Sequence, residues 1–294
     1  MLEKIFNLLA DLIKSKITFL KILLRSNLFI KFPQSKVEDC IILGNGPSLK
    51  NVLANDLEYL KTHTILCVNK FPDTPAYEIV KPSYAIFISQ EFWKKGTIKK
   101  HQDVRDNIVK ALVNKTTWPV TLFMPIQAKK FTIFIDYIAS NKNILINFFN
   151  STPVEGSQKI SHFYFRNNWG SPRPHNVLIP SILLMINSGM KSIHLLGADH
   201  SWLPLISVND ENVAMVNSVH FYDEGDTKPE SMHKASRPRH LHEILEKFML
   251  SFRAYFDLEN YAKSRGTKIF NCTPNSFIDA FERKDLATLF TEKE

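Results

Sequence analysis

Ile41-Ile42-Leu43-Gly44-Asn45-Gly46-Pro47-Ser48-Leu49 is an apolar run that passes directly into a glycine-rich turn. The run predicts a buried strand, and Pro47-Ser48 can begin a helix whose free backbone amides face an anion. The turn lacks the third glycine of the dinucleotide fingerprint and the Gly-Lys-Ser/Thr ending of a P-loop. It therefore predicts a nucleotide or phosphate site of another kind, at the carboxyl end of the first strand. A purely structural turn is the alternative.

Outward from this turn, short apolar runs alternate with stretches of helical period. Strands are predicted at Cys40–Leu43, Thr64–Asn69, Tyr84–Ile88, Val120–Met124, Ile144–Phe148, Ser192–Leu196 and Lys268–Phe270. Helices are predicted near 103–114, 127–140, 177–189 and 241–264. Strands rich in Ile, Val and Leu without polar alternation are typical of a sheet covered on both faces. The pattern predicts the α/β class, with one Rossmann-like domain built on a largely parallel, doubly wound sheet.

The N-terminal 32 residues differ from the rest of the chain. The whole chain has 294 residues and a net charge of +8, and residues 1–32 hold six basic and two acidic residues, or +4 of that charge. Apolar residues recur there at spacings of three and four, which predicts an amphipathic helix too interrupted by lysine to span a membrane. Such a helix typically lies on an anionic membrane surface. Packing on the domain or on a partner subunit is the alternative.

These features divide the chain into an amphipathic segment (1–32), a linker around Pro33 and a domain over 38–294. Residues 200–239 lack periodicity and hold several prolines, which indicates a lid inserted in that domain. With 44% apolar and 22% charged residues, the composition excludes wholesale disorder and a polytopic membrane protein. Three cysteines cannot form a disulfide framework and fit a reducing compartment.

Polar side chains follow several of the predicted strands. Asn69 follows the second strand and Ser89 the third, where each could contact a phosphate or a ribose. Asp199 ends the sixth strand in Gly197-Ala198-Asp199, where its carboxylate could orient a substrate hydroxyl, hold the lid or bind a metal. No Asp-x-Asp pair occurs in the chain, so a metal-dependent reaction is not the expectation.

Histidines are concentrated around the end of the lid. His220, His233, His240 and His242 fall within 23 residues, and Arg237 and Arg239 lie beside them. A histidine can take a proton from a sugar hydroxyl near neutral pH, and arginine can pair with a phosphate or a carboxylate. We predict that one of the four is catalytic, although solvated loop histidines would explain most of them individually.

Together these motifs resemble the bacterial sialyltransferases of glycosyltransferase family 42 and the related motility accessory factor transferases. The matching pieces are Gly44–Leu49, Asn69, Gly189 through Asp199 and Lys268 through Ser276, and the resemblance spans roughly 38–280. It implies a GT-A-variant fold with a mobile lid and inverting transfer of a nonulosonic sugar from a CMP-activated donor. It also implies that no metal or other cofactor is needed. The acceptor would be a cell-surface glycan or glycolipid of the lipopolysaccharide or capsule type, made at the cytoplasmic face of the bacterial inner membrane.

Site residues follow from the resemblance by position. The implied nucleotide-binding residues are Gly44, Asn45, Gly46, Ser48, Asn69, Ser89, Asn176, Asn275 and Ser276. The implied general base is His242, with His240 in reserve, and Asp199 completes the catalytic set. The family carries lid tyrosines that stabilise the leaving phosphate, but this chain has Ser201 and Trp202 at that point, so Tyr222 would supply the hydroxyl. The family's Arg-x-Thr-Ser-Gly stretch is also missing, and Arg173 and Asn176 are the nearest substitutes.

Three other functions stay open on the sequence. A pterin diphosphokinase-like transferase shares the Gly-Asn-Gly-Pro-Ser turn, but it would use Mg-ATP and acidic ligands. A non-enzymatic membrane-associated protein could have kept the fold. A nucleic-acid binder would use the cluster Lys94–Lys100 beside Trp93, but aromatic residues are not interleaved through it. We therefore expect no nucleic-acid partner, and a homo-oligomer is left open.

Overall fold

The computed structural model describes residues 2–89, 92, 99–223, 225–234 and 237–286. Within them the central sheet has eight strands, every neighbouring pair parallel, in the order β13-β12-β6-β1-β2-β3-β4-β5. Its strands are β1 (Asp39–Leu43), β2 (Ile65–Val68), β3 (Tyr84–Ile86), β4 (Val120–Pro125), β5 (Ile144–Phe149), β6 (Ser192–Leu196), β12 (Lys268–Asn271) and β13 (Glu282–Arg283). The predicted α/β class and parallel sheet are confirmed, and all seven predicted strands are present.

Helices cover both faces of the sheet. They are α1 (Leu2–Arg25), α2 (Leu49–Asn55), α3 (Leu57–Lys61), α4 (Ala76–Val80), α5 (Lys99–Lys115), α6 (Thr132–Ala139), α7 (Gln158–Arg166), α8 (Leu178–Asn187) and α9 (Leu241–Arg265). Side chains alternate along β1, so that Cys40 and Ile42 join the core under α8 and α9 while Ile41 and Leu43 join the core under α2 to α5. Because both faces of these strands are buried, their sequences are nearly continuous apolar runs.

The segment 200–239 is more regular than the sequence predicts. It contains a small antiparallel sheet of β7 (Ile206–Val208), β8 (Ala214–Val216) and β9 (Glu230–Ser231), followed by the pair β10 (His233–Lys234) and β11 (Arg237–Pro238). The segment packs against the first half of α9, where the rings of Trp202 and Phe248 lie 3.8 Å apart. Strands of two or three residues carry too little period to be recognised in a sequence.

The order of the strands locates the crevice of the sheet. β1 pairs with β2 on one side and with β6 on the other, and the chain runs outward from this point in both directions. Such a switch point is where open α/β sheets bind ligands, at the carboxyl ends of the strands. The glycine turn after β1 and the Gly197–Asp199 turn after β6 both lie there.

None of the described helices is long and apolar enough to cross a bilayer. The three cysteines are buried and unpaired. The division of the chain at residues 32 and 38 stays a prediction.

Candidate functional site

The two turns at the switch point contact each other through backbone atoms. The Gly44 N–H donates to Leu196 O at 2.7 Å, and the Gly46 N–H donates to Gly197 O at 2.8 Å. A Cβ on Gly44 would overlap the Gly197 backbone, and a Cβ on Gly197, whose φ is +64°, would lie 2.8 Å from Gly44 O. The glycines therefore first of all allow the two turns of the protein's own backbone to approach each other closely.

Asp199 holds the beginning of α2. Its carboxylate accepts hydrogen bonds from the Ser48 N–H at 3.1 Å and from the Ser48 hydroxyl at 2.8 Å. A Cβ on Gly46 would overlap this carboxylate. Burial raises the pKa of Asp199, while the two bonds from Ser48 oppose the shift. An anion does lie at the predicted helix start, but it is the side chain of Asp199.

A cavity of about 180 Å³ opens beside the glycine turn. Its wall is formed by the glycine turn (Gly44, Asn45 and Gly46), by residues around the turns before α8 and after β6, and by residues 218–220 of the lid segment. Two amide atoms in this wall, Asn45 Oδ1 and Asn176 Nδ2, are buried and have no hydrogen-bond partner among the described residues. Buried polar atoms are almost always paired, so these two make the cavity a candidate site for a polar ligand.

The orientation of the Asn176 amide is determined by the backbone of α8. Its Oδ1 accepts from the N–H groups of Leu178 at 3.0 Å and Ile179 at 3.3 Å, and it also accepts from the Tyr255 hydroxyl at 3.1 Å. The donor end, Nδ2, is the part of the amide that remains without a partner. Asn176 was predicted from the resemblance as a substitute residue, and the structure places it in the same cavity wall as Asn45.

Sequence reasoning missed His200, which lines the same cavity. Its Nε2 lies 2.6 Å from the Tyr255 hydroxyl, and because that hydroxyl donates to Asn176, Nε2 is the donor in this contact. Burial lowers the pKa of His200 to about 4, so the ring is neutral near pH 7. Its position directly after Gly197-Ala198-Asp199, at the end of a predicted strand, was the signal available in the sequence.

A larger cavity, of about 870 Å³, lies on the other side of Asp199. It shares Pro47, Asp199 and Ser201 with the first cavity and extends to Asn275, which lies in the turn after β12. Ser276, also predicted to border a nucleoside, is buried and donates instead to Ala198 O at 2.6 Å. Arg283 and Lys284 are among the basic residues of this cavity.

Three other predicted residues lie near the glycine turn. The Asn69 Oδ1 is buried without a partner among the described residues, at a backbone φ of +46° directly after β2. Tyr222 stacks on His220 with the ring centres 5.0 Å apart and lies under Lys70, and burial raises its pKa. Ser89 follows β3 and is half-buried. None of these three residues is among those that line the two cavities.

Of the four predicted histidines, His220 lines the small cavity, whereas the structure does not bring His240 and His242, the residues implied as the general base, to this site. His240 precedes α9, where its backbone N–H donates to Glu243 Oε2 at 3.0 Å, and His242 lies in the first turn of the helix. Both side chains are exposed, and their rings stack with centres 5.8 Å apart. Neither residue lines the two cavities. Their catalytic role stays a prediction.

Positive charge gathers around His175, the residue before Asn176. Burial lowers the pKa of His175 to about 4, and Arg173, Lys247 and Arg239 lower it further. The His175 Nε2 is buried with no partner among the described residues. Arg173 forms an ion pair with Glu155 at 2.8 Å. The pKa of Lys247 is lowered, mainly by burial and to a smaller extent by the positive charge of Arg239. This group favours a ligand that carries a negative charge.

In the described part of the chain, no three His, Cys, Asp or Glu side chains lie close enough together to hold a metal ion. The absence of a metal requirement stays a prediction. The basic cluster Lys94–Lys100 lies largely outside the described residues, as does Trp93.

No protein-family model and no curated protein sequence matches the chain. A solved structure that is similar to it is that of the MAf glycosyltransferase from Magnetospirillum magneticum AMB-1, with a TM-score of 0.47 and 10% sequence identity. The likeness covers 94% of this chain and 38% of that chain, so this chain spans little more than a third of its length. At this distance the likeness carries no argument about function.

Proposed function

We propose that the chain is an inverting glycosyltransferase that moves a sialic-acid-like sugar from a CMP-activated donor to a glycan acceptor. The observation that carries the proposal is the pair of unpartnered amide atoms, Asn45 Oδ1 and Asn176 Nδ2, in one cavity wall at the switch point of the sheet. An acceptor and a donor of hydrogen bonds in one small cavity suit the hydroxyl and amide groups of a sugar.

The larger cavity supports a donor that contains a nucleotide. It adjoins the small cavity across Asp199, so that one extended ligand can occupy both. In this arrangement the sugar lies beside Asn176 and the nucleoside beside Asn275. The positive charge of Arg239, Lys247 and Arg173 near Asn176 suits the carboxylate of a nonulosonic sugar.

The reaction requires a base for the acceptor hydroxyl, and we propose a histidine. For His242 to act as the base, or His240 as the second candidate, the beginning of α9 must approach the cavity when substrates bind, as lid segments often do. His200 already lines the cavity, and its ring is neutral at pH 7, which is the form that accepts a proton. Replacing each of the three separately with Asn identifies the base, because only the base abolishes transfer while donor binding persists.

A thermal-shift screen with CMP, CTP, UDP, GDP and ATP tests the donor class. We expect CMP and CTP to stabilise the protein, by about 2.7 kcal/mol at a hundredfold excess over the dissociation constant. The Asn275→Gly variant, which keeps the left-handed backbone of this position, should weaken this effect, while Asn107→Ala, at an exposed position on α5, should keep it. Stabilisation by ATP with magnesium alone would favour the diphosphokinase alternative, and no response to any nucleotide would contradict the proposal.

A further inference from the structure

Helix α1 presents its apolar side to solvent. Phe6 is 71% exposed, Leu20 59% and Leu24 84%. The same side of the helix holds further exposed apolar residues, namely Ile5, Leu9, Leu12, Ile13, Ile17 and Leu23. A contiguous apolar surface of this kind on a folded protein marks an interaction site.

The opposite side of α1 is attached to the domain through polar groups. The Thr18 hydroxyl donates to Glu155 O at 2.9 Å and accepts from the Glu155 N–H at 3.1 Å, and the Ser15 hydroxyl accepts from the Ser157 N–H at 2.9 Å. A Cβ on Gly156, whose φ is +119°, would overlap Ser15. Of the described apolar side chains of α1, only Ile22 is fully buried. These bonds determine which side of the helix faces outward.

The attachment also places α1 at the same edge of the sheet as the candidate site. After α1, the Ser26 hydroxyl donates to Thr152 Oγ1 at 2.8 Å, and the Asn27 N–H donates to Asn150 Oδ1 at 2.9 Å. Residues 150–157 follow β5, so α1 lies along the carboxyl edge of the sheet, which is also the edge of the switch point. Arg25, at the end of α1, lines a groove of about 300 Å³ with Pro174, two residues before Asn176.

The charge of this segment indicates what covers the apolar side. Six basic and two acidic residues accompany it, and Lys4 and Lys16 are exposed with no acidic partner among the described residues. A second copy of the chain would bring a segment of net charge +4 against another of +4, which is repulsive. An anionic lipid surface supplies both an apolar layer and the opposite charge.

We propose that the exposed apolar side of α1 binds the surface of an anionic lipid bilayer, with the helix lying in its plane, and holds the carboxyl edge of the sheet close to the membrane. Binding does not depend on the donor sugar. The nature of the acceptor rests on the proposed function: if that function also holds, the acceptor is a lipid-linked glycan presented at that surface.

Co-sedimentation with phosphatidylcholine vesicles, with and without phosphatidylglycerol, tests the apolar side. We expect the purified chain to bind the anionic vesicles, and the triple variant Phe6→Ser, Leu20→Ser, Leu24→Ser to bind at least about tenfold more weakly. The matched control is Ile133→Ser with Leu145→Ser, which removes exposed apolar side chains elsewhere. Both variants should unfold at the same temperature as the parent, because none of these side chains is buried.

A second pair of variants tests the charge. Lys4→Gln with Lys16→Gln should weaken binding to anionic vesicles about 30-fold, from about 1 kcal/mol for each lysine. Lys110→Gln with Lys142→Gln, which removes two exposed lysines far from α1 in sequence, should bind like the parent.

Three results would overturn the proposal. They are no binding of the parent chain to anionic vesicles, equal binding by the triple variant, and a dimer in sedimentation equilibrium that the triple variant dissociates. The last would assign the surface to a second copy. None of these results bears on nucleotide binding, so the proposed function is tested separately.

Discussion

Acid should destabilise the protein through His200. The ring lies between the Tyr255 hydroxyl, 2.6 Å from Nε2, and the ring of Trp202, whose centre is 5.1 Å away. Burial holds the pKa of His200 at about 4 in the folded protein, whereas an unfolded histidine titrates near 6.5. Between these two pH values the unfolded chain binds a proton that the folded chain does not.

The size of the effect follows from the two pKa values. Because the folded pKa is the lower one, the stability contributed by the neutral ring is complete above about pH 6.5 and is lost progressively as the pH falls toward 4. Linkage gives a loss of about 2 kcal/mol between pH 7 and pH 5 from this residue.

The assay is urea unfolding of the parent and of His200→Asn at pH 7 and pH 5. Asparagine tolerates the left-handed backbone that His200 adopts, with φ +52°, and it does not titrate. The variant loses the bond to Tyr255 at both pH values, so this cost cancels when the two pH values are compared. Other titrating groups, including His175, are present in both proteins.

We expect the free energy of unfolding to fall by about 2 kcal/mol less in His200→Asn than in the parent between pH 7 and pH 5. His233→Asn, at an exposed position in the lid segment, is the control and should follow the parent. An equal loss in the parent and in His200→Asn would refute the reasoning, because it would show that the ring is not held neutral by burial.

Three other changes test the site. Gly46→Ala should destabilise the fold by about 1–3 kcal/mol in urea unfolding and abolish nucleotide-induced stabilisation, because its Cβ overlaps the Asp199 carboxylate; an unchanged midpoint would contradict this. Asp199→Ala should cost about 2–4 kcal/mol by leaving two donors of Ser48 unpaired, and Asp199→Asn should cost less than half of that; equal costs would show that the hydrogen bonds are unimportant. His242→Ala and His240→Ala should each change stability by under about 0.5 kcal/mol, since both side chains are exposed, while loss of the base should slow transfer at least about 100-fold; full turnover in both would remove them as candidates.

The strands could be predicted because the parallel sheet imposes a simple pattern. Ile65–Val68 and Val120–Pro125 are apolar along nearly their whole length, since both faces of each strand are covered. The short helices α3 and α4 were not predicted, because five residues hold too few turns for a period to show.

The candidate site could be predicted only in part. The glycine turn and Asn176 were found, but the chain of contacts from His200 through Tyr255 to Asn176 joins residues that are 55 and 79 positions apart. No residue spacing in the sequence indicates a hydrogen bond between positions so far apart. His242 was chosen for its place before the last long helix, and the structure shows that this place is exposed.

The N-terminal helix separates most clearly what the sequence determines from what it does not. Its apolar period, its length and its excess of lysine are properties of residues 2–25 alone, and they were sufficient to predict an amphipathic helix. The helix alone leaves open whether its apolar side faces outward or packs on the domain. The tertiary structure turns this side outward, because the backbone N–H groups of Glu155 and Ser157 donate to the hydroxyls of Thr18 and Ser15, and the Thr18 hydroxyl donates to Glu155 O. That requirement arises from the loop after β5, about 130 residues further along the chain, so no reading of the helix alone could contain it.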